Sequence, residues 1–209
     1  MLTRLTLPDS ITAMRSFKKL FSIREMYLAF VRIPYSLFVL FRHRKNTQID
    51  EQFIERLQLA VTQVNGCAAC SYAHTYLALK KGLNKEEIDD LLTAEDQFSE
   101  PSQVKAVLFA RHFADQKGFP QRDAFESIEE TYGKKEAGII LAAIQIMQAA
   151  NIYGLSFSAL YARFKGRPYH NSTLLYEAGM QLAGILMFPF AMLHGLIYFV
   201  PGVSWKRFA

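Results

Sequence analysis

Residues 49–83, IDEQFIERLQLAVTQVNGCAACSYAHTYLALKKGL, decide the fold of this chain. Apolar residues recur at helical spacing in the first half of this stretch and form one stripe, from which Glu55 is displaced. Asn-Gly then interrupts the pattern, and Gly66 is the residue type that ends a helix in the left-handed conformation. The stretch therefore predicts two consecutive helices, over 49–64 and 67–81.

The same spacing continues along the chain, and few segments alternate with the period of a β-strand. We therefore predict an all-α fold. Glycine, proline and capping residues set the expected ends of the other helices. These helices are expected over 10–31 and 34–44 with a break at Pro34, then over 85–93, 102–117, 122–132 and 134–164, with a bend or split at Gly154.

The charge of the chain is unevenly distributed. The 209 residues contain 24 Lys and Arg and 19 Asp and Glu, a net charge of +5. The net charge is +7 for residues 1–45, −7 for residues 46–133 and +5 for residues 134–209. A basic core is thus absent, which argues against nucleic acid as a partner. The basic ends suit an anionic surface, while the acidic middle is typical of a soluble domain.

The C-terminal part differs in composition from the rest. Residues 178–205 contain no Asp, Glu, Lys or Arg and are long enough to span a bilayer. Spanning a membrane, lying at its interface and packing in an oligomer all remain open for this segment. We predict three segments: basic N-terminal helices at 1–48, a helical domain at 49–168 and an apolar helical segment at 169–209. The expected location is the cytoplasm, with contact to the inner face of the membrane left open.

Three side chains in the central stretch predict chemistry. A helix turns about 100° per residue, so Cys67, Cys70 and His74 share one face. The cysteines stand at the start of the helix, where free N–H groups and the helix dipole stabilise a thiolate. An imidazole one turn later can accept the proton. This arrangement favours dithiol redox chemistry.

Two other interpretations stay open from the residues alone. Cysteines on an apolar helix face also occur as inert core residues. Cys67, Cys70 and His74 could supply three metal ligands, although the second ligand pair of a structural zinc site is missing. Covalent haem attachment is excluded because Ser71 follows the second cysteine where histidine would be required.

The spacing of Glu55, Cys67, Cys70 and His74, with Asn-Gly before the first cysteine and Leu-Ala-x-x-x-Gly-Leu after the histidine, resembles the carboxymuconolactone decarboxylase superfamily. The resemblance is closer to its alkyl hydroperoxidase D branch and covers about residues 49–165. Well-known members of that branch carry a second histidine where this chain has Ala69.

The resemblance implies an all-α bundle that forms homo-oligomers, often trimers or their multiples. It implies a thiol peroxidase or disulfide reductase that needs no cofactor and no metal. Cys70 would be the exposed thiolate that attacks a hydroperoxide, and Cys67 would resolve the product to a disulfide. Glu55 and His74 would relay protons, and a dithiol or protein reductant would restore the thiols.

Two other functions remain as alternatives: a decarboxylase without a redox role, and a membrane-associated binding protein with a vestigial site. The remaining polar candidates are predicted to have structural roles. These are His43 in a basic cluster, His112 in the core or an interface, Asn151 and Tyr153 in helix packing with pocket lining as the alternative, His170 in a loop and His194 in the apolar tail.

Overall fold

The computed structural model describes residues 14–43, 48–93 and 100–198, without the side chains of His43 and Tyr198. These residues form seven α-helices and no strand, which confirms the predicted all-α fold. A short 3₁₀ turn, Pro101–Gln103, precedes the fifth helix. The helices are α1 (Ile23–His43), α2 (Glu51–Asn65), α3 (Ala68–Lys80), α4 (Lys85–Thr93), α5 (Val104–Asp115), α6 (Arg122–Phe164) and α7 (Leu174–Tyr198).

The junction between α2 and α3 forms as the sequence predicts. Asp50 caps α2, because its carboxylate accepts the N–H of Phe53 at 2.7 Å. Gly66 ends the helix in the left-handed conformation, with φ 76° and ψ 38°, and its N–H donates to Thr62 O at 2.7 Å. The chain therefore turns within two residues, and α3 starts beside the end of α2.

Helix α6 lies at the centre of the core. Its middle, residues 139–144, is buried at nearly every position, and helices α1, α2, α3, α5 and α7 pack around it. Gly133 has the non-helical angles φ 81° and ψ 158°, so α6 consists of the two helical parts that the sequence predicts on either side of this residue. Gly154 neither bends nor splits the helix.

The predicted helix break at Pro34 is wrong. Helix α1 runs continuously through Pro34, although proline removes one backbone hydrogen bond. Packing outweighs that loss, because Met26 and Phe30 are buried and the hydroxyl of Ser36 bonds Gln145 Oε1 on α6 at 2.9 Å.

The first helix also begins later than predicted. Ser22 caps α1 at its N-terminus, because its hydroxyl accepts the N–H of Glu25 at 3.2 Å. The Glu25 carboxylate in turn accepts the N–H of Ser22 at 2.6 Å. The predicted start at residue 10 lies outside the described residues, as do residues 94–99 and the part of the predicted apolar segment beyond residue 198.

Helix α7 is apolar yet largely exposed. Two helices of the described residues are long and apolar enough to cross a membrane, α6 with 72% of its most apolar window buried and α7 with 22%. The start of α7 is tied to α6 by Arg163, which donates two hydrogen bonds to the buried carboxylate of Glu177, at 2.7 and 2.8 Å. Large side chains such as Leu186 and Phe190 remain more than half exposed on its outer face.

Candidate active site

The two cysteines form a disulfide at the N-terminus of α3. Cys67 is the capping residue with extended backbone, so the helix begins one residue later than predicted, at Ala68. The N–H of Cys70 donates to Cys67 Sγ at 3.3 Å, and the N–H of Ser71 donates to the Cys67 carbonyl at 2.9 Å. Cys67 is fully buried and Cys70 is 9% exposed. The sulfur pair therefore sits where free N–H groups favour negative charge.

Helix α6 provides the surface on which the disulfide rests. A Cβ placed on Gly154 would lie 2.7 Å from Cys70 Sγ and 2.8 Å from Cys67 Sγ, so only glycine leaves room for both sulfurs. One turn later, the hydroxyl of Ser158 donates to the Gly154 carbonyl at 2.7 Å and accepts the N–H of Ala69 at 3.2 Å. This packing explains why Cys70, which the family resemblance implies to be exposed, is mostly covered in the oxidised state.

The predicted acid and base are in direct contact. Nδ1 of His74 lies 2.8 Å from Oε2 of Glu55, whose side chain is 2% exposed. Lys81 Nζ donates to the other carboxylate oxygen at 2.7 Å. Both oxygens of a buried carboxylate are thus satisfied by hydrogen-bond donors.

The pKa of the Glu55 carboxyl is lowered from its ordinary value. Burial alone would raise this pKa, but the hydrogen bonds and charges of His74 and Lys81 outweigh it. Glu55 is therefore ionised at neutral pH, which requires Nδ1 of His74 to carry the hydrogen of their shared bond. Whenever the ring is neutral, Nε2 is left as a proton acceptor.

The structure connects the four predicted residues through two helices. Cys70 and His74 are four residues apart on α3, which puts their side chains on one face. Glu55, on α2, reaches this face from the neighbouring helix through its bond to His74. The result is an oxidised dithiol one helical turn before an imidazole that an ionised carboxylate orients.

Sequence reasoning missed three residues of this site. Lys81 follows His74 by seven residues, so helical periodicity could have placed it on the same face. The sequence suggests Gly154 only as a bend in a helix, and no sequence pattern singles out Ser158. Both residues act through the contact between α3 and α6, which are far apart in the chain.

The other candidates lie outside the site. Asn151 bonds Thr62 on α2, and His194 bonds the hydroxyl of Tyr27 on α1 at 2.9 Å. Tyr153 lines a separate apolar cavity between α1, α6 and α7. Within the described ranges, His, Cys, Asp and Glu form no group of three or more that could hold a metal ion. His112 lies on α5 and His170 in the loop after α6.

Comparison with known proteins agrees with this geometry. Residues 35–112 match the model of the carboxymuconolactone decarboxylase family. This segment runs from the second half of α1 into α5, and it contains both cysteines, their histidine and Glu55. No curated protein and no solved structure matches the chain. Over residues 35–112 the chain is therefore similar to the carboxymuconolactone decarboxylase family, as the spacing of Glu55, Cys67, Cys70 and His74 suggests.

Proposed function

We propose that this protein is a thiol-dependent peroxidase of the alkyl hydroperoxidase D type, with disulfide reductase chemistry as its second half-reaction. The observation that supports it most is the disulfide between Cys67 and Cys70 at a helix N-terminus, beside the hydrogen bond between Glu55 and His74. A decarboxylase would have no use for a pair of sulfurs that can close a bond.

The proposed reaction has three steps. The thiolate of Cys70 attacks the distal oxygen of a hydroperoxide, the O–O bond breaks, and an alcohol leaves after it takes up a proton. Cys70 is then a sulfenic acid, which the thiol of Cys67 attacks to form the disulfide and release water. An external dithiol reduces the disulfide by thiol–disulfide exchange and becomes a disulfide itself.

Cys70 is assigned as the attacking residue because it is the more exposed residue of the two. Cys67 is fully buried and caps the helix, whereas Cys70 retains 9% exposure even in the oxidised state. The carbonyl of Ala150 lies 3.8 Å from Cys70 Sγ, where it can accept the S–H of the reduced thiol.

His74 acts as the base that removes the thiol proton. The ionised carboxylate of Glu55 holds its ring with Nδ1 protonated, so Nε2 can accept a proton and later return it to the leaving alkoxide. Lys81 balances the charge of Glu55 and keeps the carboxylate fixed at 2.7 Å. Glu55 and Lys81 are positioning residues in this scheme.

The test follows hydroperoxide consumption with a dithiol as reductant. We expect Cys70→Ser to abolish turnover. Cys67→Ser, treated with hydroperoxide before any dithiol is added, should consume one equivalent and keep a sulfenic acid on Cys70 that a dimedone reagent traps. Ser71→Ala, also buried and next in the chain, is the matched control and should retain turnover. Wild-type turnover in both cysteine variants would overturn the proposal.

A further inference from the structure

A cavity of about 450 Å³ adjoins the redox motif. Ala68 and Ala69, the two residues between the cysteines, form part of its wall together with Ser158. Since Ser158 also accepts the N–H of Ala69, the cavity is in contact with the first turn of α3. Its volume lies within the range of roughly 300–1,000 Å³ that is common for small-molecule sites.

The rim of this cavity is basic. Arg15, Lys165 and Arg167 line it and are all solvent-exposed. None of the three forms an ion pair with a described carboxylate, and no described residue of the lining is acidic. Three cations that face one cavity without a countercharge favour an anionic ligand.

The walls of the cavity are aromatic. Tyr72 of α3 faces it from one side, and Phe157 and Tyr161 of α6 face it from the other. Each of these rings is about half exposed, at 54%, 51% and 57%. Phe157 and Tyr161 lie nearly parallel, with ring centroids 6.4 Å apart. Exposed rings on both sides of a cavity offer apolar surface to the body of a ligand.

We propose that this cavity binds amphiphilic carboxylates, with the carboxylate on the basic rim and the apolar chain along the aromatic walls. The substrates of the peroxidase would then be fatty-acid hydroperoxides, whose carbon chain would lie against Ala68 and Ala69, the two residues between the cysteines. This assignment of the substrate rests on the proposed function, but the binding of the carboxylate does not.

The first test measures binding without redox chemistry. Titration calorimetry of the oxidised protein compares octanoate with 1-octanol, which have the same chain but differ in charge. We expect octanoate to bind at least tenfold more tightly and to lose this advantage in the Lys165→Gln/Arg167→Gln variant or at high salt, which screens exposed charges. Equal binding of the two probes, or an undiminished preference in the double variant, would refute the cavity assignment.

The second test measures selectivity in turnover. The ratio of kcat/KM for linoleic acid hydroperoxide to that for its methyl ester should exceed ten in the wild type and approach one in the double variant. Arg122→Gln removes an exposed cation at the other end of α6 and should leave the ratio unchanged.

The two proposals can fail separately. If octanoate binds selectively but no hydroperoxide is consumed, the proposed function is wrong and the carboxylate site stands. If tert-butyl hydroperoxide is consumed but the acid and its ester react alike, the function stands and the inferred substrate class is wrong.

Discussion

Substitution of Gly154 by alanine should make the disulfide easier to reduce. The added methyl group would lie 2.7 Å from Cys70 Sγ and 2.8 Å from Cys67 Sγ, well inside the distance of about 3.5 Å at which nonbonded atoms reach contact. The sulfurs are held by the helix start on one side and by each other, so they cannot move aside while the disulfide is closed. In the reduced protein each thiol can rotate away.

The size of the effect is set by two opposing terms. Overpacking of a core position costs about 1–3 kcal/mol. Alanine in place of glycine inside a helix gains about 0.5–1 kcal/mol. The gain applies to both redox states, but the cost applies mainly to the oxidised state. The reduction potential should therefore rise by ~20–65 mV, since 30 mV corresponds to about 1.4 kcal/mol for a two-electron couple.

The assay is equilibration in dithiothreitol buffers of graded potential, followed by alkylation and mass spectrometry of the oxidised and reduced fractions. Gly138→Ala is the matched control, because Gly138 lies in the same helix with nothing within 4 Å of the added methyl group. It should stabilise both redox states and leave the potential unchanged. A Gly154→Ala potential equal to that of the control would show that the sulfurs do not rest on this residue.

Three further predictions concern the carboxylate beside His74, the cap of α2 and the exposed helix α7. Glu55→Gln should lower the free energy of unfolding by about 1–3 kcal/mol at neutral pH and flatten the acid limb of the stability–pH curve. The wild-type carboxylate has a pKa below the ordinary 4.5, so its stabilising contribution is lost as the pH falls through that lowered value. An unchanged acid limb in urea unfolding would contradict this. Asp50→Ala should lower the free energy of unfolding by about 1 kcal/mol, because α2 loses its N-cap, and thermal unfolding measures the change. Asp50→Asn keeps a capping oxygen and should lower it much less. Leu186→Glu should lower the mass of the protein particle measured by sedimentation velocity, because we expect a homo-oligomer to cover the apolar outer face of α7. A wild-type protein that sediments as a monomer of 23.9 kDa would refute this expectation.

The helix ends and the side-chain spacing of the stretch that holds the candidate active site can be predicted from local sequence patterns. The stop at Gly66 and the start of α3 depend on backbone conformations that a few neighbouring residues dictate, and the sequence predicts the first at its residue and the second to within one residue. The spacing of Cys67, Cys70 and His74 fixes a shared helix face for the same reason. Pro34 shows the limit of such signals, because its local penalty is real but α1 gains more by packing continuously against α6 and α7.

The matched family segment and the rest of the chain contribute different parts of the site. Residues 35–112 contain the two cysteines, His74 and Glu55, to which the proposed function assigns the redox step, the proton transfer and the orientation of the histidine. Gly154, which seats the disulfide, and Lys165 and Arg167, which make the cavity basic, all lie beyond that segment. Because they belong to α6 or follow it directly, their relation to the cysteines depends on how α6 packs on α3 and has no counterpart in local spacing. The segment that matches the family model therefore holds the residues of the proposed thiol chemistry, whereas the packing of the disulfide and the proposed carboxylate site also depend on α6, which lies outside that segment.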